Sequence, residues 1–171
     1  KIPEGISYET ATLAEPVMCV YPHVSQTVQF RDRVVVLGVG ALGFASMCIA
    51  KGMGAKQIVA VDLDDAKLEF AKAHGADVVI NPNTVDNVAD AIWEATDGEG
   101  ADSVLEVTGE PECIQLLPYI TKFGGRIGQI GACCKLVPVD WSYFHFRGLS
   151  INKCVVGSGM INAHNAPNSN H

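Results

Sequence analysis

Three glycines and one aspartate have the types and the spacing to bind a nucleotide diphosphate. Gly38, Gly40 and Gly43 form the pattern G-x-G-x-x-G. In that pattern the first glycine permits a tight turn, the second lets a diphosphate approach the bare backbone, and the third lets a helix pack close to a sheet. Asp62 follows about 20 residues later, the spacing at which an acidic side chain accepts the hydroxyls of an adenosine ribose. Together these residues predict a dinucleotide site.

Such a site needs a strand before the first glycine and a helix after the second. Residues 33–38 (RVVVLG) are apolar and β-branched, which predicts a buried strand, and residues 41–54 predict a helix of small residues. The first N–H groups of a helix have no intrahelical partners and carry partial positive charge, so a diphosphate can bind there without a lysine or arginine. A second predicted strand, over residues 57–62, ends at Asp62.

Asp62 also indicates which dinucleotide binds. Its carboxylate would repel a 2′-phosphate, and the stretch DLDDAK that begins there places no arginine directly beside it. NAD is therefore expected rather than NADP. One alternative is that Asp62 only caps the following helix, although Asp64 is placed to do so. A second alternative is a methyltransferase, because enzymes that bind S-adenosylmethionine use the same arrangement.

Strands and helices alternate along the rest of the chain, which is typical of a parallel sheet covered on both faces. The expected α/β fold is a doubly wound, parallel, six-stranded sheet (a Rossmann fold) in three αβα layers. The further predicted strands are residues 77–80, 102–108, 125–131 and 149–156, and the further predicted helices are residues 64–75 and 83–98, the last with Asn83 or Thr84 as its N-cap.

The two ends of the chain break this alternation. Residues 1–30 have the character of a helix, but Pro16 and Pro22 are expected to kink or interrupt it. Residues 158–171 are polar and rich in asparagine, so a loose tail is expected there. The dinucleotide-binding domain is therefore predicted over residues 31–157.

The composition excludes several classes of partner. The 171 residues carry a net charge of −7 and a pI of about 5.1, so the chain lacks the basic surface that nucleic-acid backbones require. The sequence has no apolar run near the length of about 20 residues that spans a bilayer, and it does not open with a signal-peptide pattern. We expect a cytoplasmic protein with no nucleic-acid partner and no membrane partner.

The cysteines and histidines do not predict a metal site. The six cysteines form no C-x-x-C pair and most lie in apolar segments, which predicts reduced thiols in the core. Cys19 and His23 are four residues apart, but Pro22 lies between them and the sequence offers no second pair. A packing role is expected for three residues that follow the fifth predicted strand, Cys133, Cys134 and His145.

Several motifs, in order, resemble the zinc-dependent medium-chain alcohol and polyol dehydrogenases, especially sorbitol and threonine dehydrogenases. The motifs are ATLAEPV, VVVLGVGALG, AKGMGAKQIVAVDLDDAKLEFAKAHGAD, VLEVTGEPECI and FGGRIGQIGA. The resemblance covers residues 8–157 and implies a coenzyme-binding domain. In that family a catalytic domain with cysteine and histidine zinc ligands precedes the coenzyme domain, and this chain would begin near the crossover between the two. Residues 1–30 would then be a remnant of the catalytic domain and the crossover helix.

The resemblance also implies roles for individual residues. The implied coenzyme residues are Gly38, Val39, Gly40, Ala41, Leu42 and Gly43 around the pyrophosphate, Asp62 and Lys67 at the adenosine ribose, and Val107, Thr108, Ile130, Gly131 and Ala132 beside the adenine and nicotinamide halves. Glu15 matches a position beside the catalytic zinc, so it is a catalytic candidate in an intact enzyme only. The simpler alternatives are a Thr108 hydroxyl that bonds its own turn, a solvated Lys67, and a Glu15 that is only a surface or cap carboxylate.

The implied activity is hydride transfer between a secondary alcohol or polyol and NAD, with zinc as the Lewis acid of the intact enzyme. The polypeptide alone is expected to bind NAD but to turn over no alcohol, because the zinc would belong to the preceding domain. A free-standing NAD-binding regulatory or sensor module is an alternative. The last predicted strand would lie at a sheet edge, where unpaired backbone groups favour a homo-oligomer.

Overall fold

Six parallel strands form one sheet with helices on both faces. The computed structural model describes residues 2–152. The strands are β1 Arg33–Leu37, β2 Gln57–Val61, β3 Val78–Ile80, β4 Ala101–Glu106, β5 Thr121–Gln129 and β6 Ser150–Asn152. Their order across the sheet is β3-β2-β1-β4-β5-β6, and all neighbouring strands are parallel. This is the order of a Rossmann fold, so the predicted fold is confirmed.

Helices cover both faces of the sheet. The described helices are α1 Tyr8–Ala11, α2 Ala14–Thr27, α3 Ala41–Gly52, α4 Asp65–Ala73, α5 Val88–Ala95, α6 Pro111–Ile120 and α7 Trp141–Arg147. The short helix α1 has no buried residue and joins neither layer. Helices α2, α3 and α4 share an apolar core with Val34 and Val36, whereas α5, α6 and α7 share one with Val35 and Leu37. Side chains alternate along a strand, so β1 contributes to both cores, and all five of its residues are buried.

The ends of the three neighbouring strands β1, β4 and β5 lie in register. Leu37 of β1 pairs with Glu106 of β4, which pairs with Gln129 of β5. Strands β1, β2, β4 and β5 each end one or two residues earlier than predicted, because the last predicted residues turn away into the loops. These loops therefore emerge together at the carboxyl edge of the sheet, where ligands of open α/β sheets bind.

Helix α2 runs through two prolines. Of the two predicted effects, a kink or an interruption of the helix, the interruption is wrong. Pro16 lies in the first turn, where a backbone N–H has no helical partner to lose. Pro22 lies inside the helix, but Val20 and Val24 on either side of it are completely buried. Their packing against the sheet offsets the hydrogen bond that Pro22 cannot make.

Helix α5 begins later than predicted, and the prediction of Asn83 or Thr84 as its N-cap is wrong. Both residues belong to a short 3₁₀ turn, which the side chain of Asn81 closes by accepting a hydrogen bond from the Asn83 N–H at 2.9 Å. The N-cap of α5 is Asn87, whose Oδ1 accepts the first free N–H groups of the helix. Helices α6 and α7 were not predicted, because α6 contains Pro118 and α7 has only seven residues.

The five described cysteines are free thiols, but they do not lie in the core as predicted. Cys48 and Cys134 are exposed, and the other three, Cys19, Cys113 and Cys133, are half-buried. The predicted packing role applies to Cys133, which borders the apolar core of α6 and α7, and it is wrong for the exposed Cys134 and His145. Cys154 lies outside the described residues.

Strand β6 lies at one edge of the sheet, beside β5. The predicted strand 149–156 and the predicted tail 158–171 extend beyond residue 152, so part of the first and all of the second lie outside the described residues. From residue 2 to residue 152, no helix has the length and apolar character needed to cross a membrane. Over the same range, no group of three or more His, Cys, Asp or Glu side chains is arranged to hold a metal ion.

Candidate coenzyme site

The glycine turn between β1 and α3 contains two crowded positions and one open position. Gly38 has a φ of +87°, and a Cβ there would lie 2.6 Å from Thr108 Cγ2, so both the backbone and the available space require glycine. A Cβ on Gly43 would overlap the carbonyl oxygen of Gly38. A Cβ on Gly40 would meet no protein atom within 4 Å. The fold therefore needs Gly38 and Gly43, whereas Gly40 faces space that a ligand can enter.

The amino end of α3 opens onto the same space. Gly40 is the N-cap of this helix and has no side chain to satisfy its first N–H groups. The first intrahelical bond runs from the Phe44 N–H to the Gly40 carbonyl oxygen, 2.8 Å away. The N–H groups of residues 41–43 therefore have no helical acceptor, and the helix dipole adds partial positive charge to them. This set of donors fits a diphosphate, and a Cβ on Gly40 would fill part of the cradle.

Asp62 joins the glycine turn to the turn after β2. Its Oδ2 accepts a hydrogen bond from the Val39 N–H at 2.8 Å, and its Oδ1 accepts one from the Asp64 N–H at 3.1 Å. The side chain is 12% exposed, so it still borders the carboxyl edge where a sugar would bind. The N-cap of α4 is Asp64 and not Asp62, since the Asp64 carboxylate accepts the N–H groups of Ala66 and Lys67. Asp62 is thus placed between two turns instead of on a helix end.

Lys67 lies beside these two carboxylates. Its Nζ is 3.8 Å from Asp62 Oδ1 and 4.0 Å from Asp64 Oδ2, and its side chain is half-exposed. Contacts of this length at the surface contribute little to stability. They nevertheless place a cation of the first turn of α4 next to Asp62, the predicted partner of the adenosine ribose.

The turns after β4 and β5 pack against each other at the same edge. A Cβ on Gly109 would lie 2.6 Å from the carbonyl oxygen of Ala132, and a Cβ on Gly131 would overlap the backbone nitrogen of Gly109. The turn after β4 also touches β1, because the Val107 N–H donates to the Leu37 carbonyl oxygen at 3.0 Å. These contacts bring together the predicted coenzyme residues that follow β1, β4 and β5.

The Thr108 hydroxyl is used within its own turn. It donates to Glu106 Oε1 at 2.5 Å and accepts a hydrogen bond from the Glu110 N–H at 3.0 Å. This is the simpler of the two roles considered for Thr108. Because the residue is exposed and its Cγ2 contacts the glycine turn, the geometry leaves a contact with a ligand available as well.

Glu106 is a site residue that the sequence analysis missed. It is completely buried at the end of β4, and its Oε1 accepts three hydrogen bonds from the turn that follows. Its Oε2 is buried and has no hydrogen-bond partner within residues 2–152. The signal in the sequence was a glutamate inside the apolar run VLEV, since a fully buried carboxylate is rare and costly unless its contacts compensate.

Glu15 lies in the first turn of α2 and is exposed. Its Oε1 accepts a hydrogen bond from the Cys19 thiol at 3.4 Å. The carboxylate suits the positive amino end of a helix, which is the simpler role considered for it. The catalytic role that the resemblance implies for Glu15 stays a prediction.

A family model described as zinc-binding dehydrogenase matches residues 41–168 of this chain. The chain belongs to the zinc-binding dehydrogenase family. The match begins at the first residue of α3 and includes the turns after β2, β4 and β5. Members of the family depend on NAD or NADP and on zinc. The predicted resemblance is therefore confirmed, and the methyltransferase alternative has no support.

The chain is also similar, in sequence or in structure, to individual dehydrogenases. Sorbitol dehydrogenase 1 of Saccharomyces cerevisiae is 34% identical over 137 residues, which cover 77% of this chain and 38% of the relative. L-threonine 3-dehydrogenase of Yersinia enterocolitica is 32% identical over 162 residues, covering 94% of this chain and 47% of the relative. The crystal structure of 2R,3R-butanediol dehydrogenase from Bacillus subtilis superposes with a TM-score of 0.83 at 26% identity, covering 91% of this chain and 44% of that one. The chain thus spans less than half the length of these proteins.

Proposed function

We propose that this chain is the NAD-binding part of a zinc-dependent alcohol or polyol dehydrogenase. The observation that carries the proposal is the open position at Gly40, at the amino end of α3 and beside a turn held by Asp62. When bound there, NAD would supply the acceptor for a hydride from a secondary alcohol. The residues of this chain would bind the diphosphate, hold the adenosine ribose and orient the coenzyme against the turns after β4 and β5.

Titration with NADH tests this proposal. The chain is expected to bind NADH, detected by calorimetry and by the fluorescence of the reduced nicotinamide, and to bind S-adenosylmethionine more weakly or not at all. Tighter binding of S-adenosylmethionine, or no binding of NADH at millimolar concentration, would contradict the proposal.

NAD is the proposed coenzyme in preference to NADP. Asp62 is held in place by two backbone N–H groups, so its negative charge cannot swing away from a 2′-phosphate. Lys67 is the only described cation within 4 Å of that carboxylate, and it is the group that would attract such a phosphate. NADH is expected to bind more tightly than NADPH, and equal affinity would contradict this choice.

The substrate class is proposed from the relatives. A protein named sorbitol dehydrogenase and one named threonine dehydrogenase both suggest a secondary alcohol with a neighbouring polar group. Zinc would polarise the alcohol oxygen in the intact enzyme. We expect the 171-residue polypeptide alone to bind coenzyme without oxidising sorbitol or threonine, and zinc-dependent turnover by this polypeptide would contradict that expectation.

Association of two chains through the edge of β6 is proposed as well. Strand β6 is bonded to β5 on one side, and its other side lies at the sheet edge, where backbone groups can pair with a second copy. Sedimentation at several concentrations is expected to show a dimer. A monomer at high concentration would contradict it.

A further inference from the structure

Glu106 holds together two turns that follow different strands. Its Oε1 accepts hydrogen bonds from the Thr108 N–H at 2.8 Å, the Gly109 N–H at 2.9 Å and the Thr108 hydroxyl at 2.5 Å. Its backbone carbonyl oxygen accepts the N–H groups of Ile130 at 2.8 Å and Gly131 at 2.9 Å. The side chain therefore fixes the turn after β4, and the main chain fixes the turn after β5.

The turn after β5 also packs against the carboxylate of Glu106. A Cβ on Gly131 would lie 2.8 Å from Glu106 Oε2, so glycine at this position lets the turn after β5 come close to the carboxylate. Oε2 is buried without a hydrogen-bond partner in the described part of the chain. Burying a polar atom without a hydrogen bond costs free energy, and an apolar side chain at this position would not have that cost. Packing alone therefore does not account for a glutamate at the end of β4.

The order of the strands indicates which part of a dinucleotide would reach these turns. Asp62, the predicted partner of the adenosine ribose, follows β2, and Gly40, at the predicted diphosphate site, follows β1. Strands β4 and β5 continue the sheet on the opposite side of β1. A dinucleotide that binds along this edge in that direction places its nicotinamide half over the turns after β4 and β5.

We propose that Glu106 is a positioning residue for the nicotinamide half of the coenzyme. The inference rests on the proposed function, since it presumes that a dinucleotide binds at the glycine turn. Glu106 acts through the two turns and not by contact with the coenzyme. Its negative charge strengthens the bonds at Oε1, because hydrogen bonds to an ionised acceptor are about twice as strong as neutral ones.

The test compares Glu106→Gln with the control Glu112→Gln, an exposed carboxylate in the first turn of α6 that leaves both turns untouched. Each protein is titrated with NADH and with ADP, which lacks the nicotinamide half. Binding is followed by calorimetry and by ¹H–¹⁵N NMR spectra of the backbone amides. Glutamine keeps one oxygen acceptor but removes the charge, so the turns are expected to loosen while the sheet remains intact.

The expected result is a loss of NADH affinity of about tenfold in Glu106→Gln, with ADP affinity changed by less than about twofold. NMR shifts on adding NADH should persist at residues 38–43 and weaken at residues 107–109 and 130–132. Equal losses of NADH and ADP affinity would show a merely structural role and overturn the inference, as would an unchanged NADH affinity. Failure of the unsubstituted chain to bind either ligand would instead overturn the proposed function on which the inference rests.

A second pair of variants covers the case in which Glu106→Gln does not fold. Thr108→Val removes the hydroxyl that donates to Glu106 Oε1 but keeps both backbone donors, whereas Thr108→Ser retains the hydroxyl. We expect the valine variant to bind NADH more weakly than the serine variant, whereas the ADP affinities of the two variants should agree within about twofold. Indistinguishable behaviour of the two variants would overturn the inference.

Discussion

Asp62 accepts a hydrogen bond from the backbone N–H of Val39 across a distance of 2.8 Å. The acid that follows β2 therefore holds the glycine turn that follows β1. One carboxylate thus links the two parts of the coenzyme site that the sequence places about 20 residues apart.

Asp62→Asn is expected to weaken NADH binding by about 10- to 100-fold, because a charged acceptor is lost from both the turn and the sugar. The preference for NADH over NADPH should also narrow, since the charge that repels a 2′-phosphate is gone. The control is Asp64→Asn, because asparagine is an equally good N-cap for α4. Calorimetry with both coenzymes measures the two effects, and equal behaviour of the two variants would rule out a special role for Asp62.

Gly43→Ala is expected to destabilise the fold, because its Cβ would overlap the Gly38 carbonyl oxygen. The carbonyl oxygen belongs to the backbone of a tight turn and the Cβ would be fixed to the first turn of α3, so neither atom can move aside without a shift of the backbone. The loss should be about 3 kcal/mol, which lowers the Tm by roughly 6–12 °C in a domain of this size. Gly52→Ala, at an open position in the last turn of α3, serves as the control and should leave the Tm unchanged or slightly raised. Thermal unfolding followed by circular dichroism gives both values, and a Gly43→Ala Tm equal to that of the control would contradict the overlap.

The free energy of unfolding is expected to fall at acidic pH, and Asp102 is expected to cause part of that fall. Burial raises the pKa of Asp102, but hydrogen bonds from the Lys122 ammonium and the Arg33 N–H outweigh this effect and hold the pKa below its ordinary value. A lowered carboxyl pKa contributes stability above the unfolded-state pKa of about 3.9, and that stability is lost as the pH falls through the folded-state value.

Asp102→Asn should therefore lose less stability than the unsubstituted chain between about pH 4 and pH 2. The measurement is urea unfolding at a series of pH values, with the exposed Asp86→Asn as a control for the change in net charge. Parallel pH profiles for Asp102→Asn and the unsubstituted chain would show that the ionised Asp102 does not stabilise the fold.

Arg147 is expected to stabilise the contact between α5, α7 and β5. Its guanidinium carbon lies 5.1 Å from the ring centre of Tyr143, 5.2 Å from that of Phe123 and 5.6 Å from that of Trp93. It also donates a hydrogen bond to the Thr121 carbonyl oxygen at 3.0 Å. Arg147→Met should cost about 1–3 kcal/mol in urea unfolding, whereas Lys56→Met at an exposed position should cost almost nothing. Equal costs would show that the rings do not bind the cation.

The centre of the fold could be predicted because its signals are local. The apolar run before Gly38 and the glycine spacing after it depend on one short stretch of chain, and Asp62 is recognisable by its distance along the sequence. The start of α5 could not be predicted in the same way. Both Asn83 and Asn87 are good N-caps, and the choice depends on Asn81 closing a separate turn first.

Glu106 was missed because its role depends on contacts between distant segments. Nothing in the run VLEV shows that its carboxylate accepts N–H groups from the next turn while its carbonyl oxygen accepts two more from the turn after β5. The burial of Cys48 was predicted wrongly. Its apolar neighbours in the sequence favoured a place in the core, but Cys48 lies on a face of α3 that is exposed to solvent.

The NADH affinity of Gly40→Ala tests the central claim most directly. A Cβ at Gly40 meets no protein atom within 4 Å, and its φ of −65° suits any residue, so the fold should tolerate alanine with a Tm change below about 3 °C. If the diphosphate lies against this position, the added methyl group should lower NADH affinity at least about tenfold. An unchanged affinity in a correctly folded Gly40→Ala protein would contradict the claim that the glycine turn holds the coenzyme.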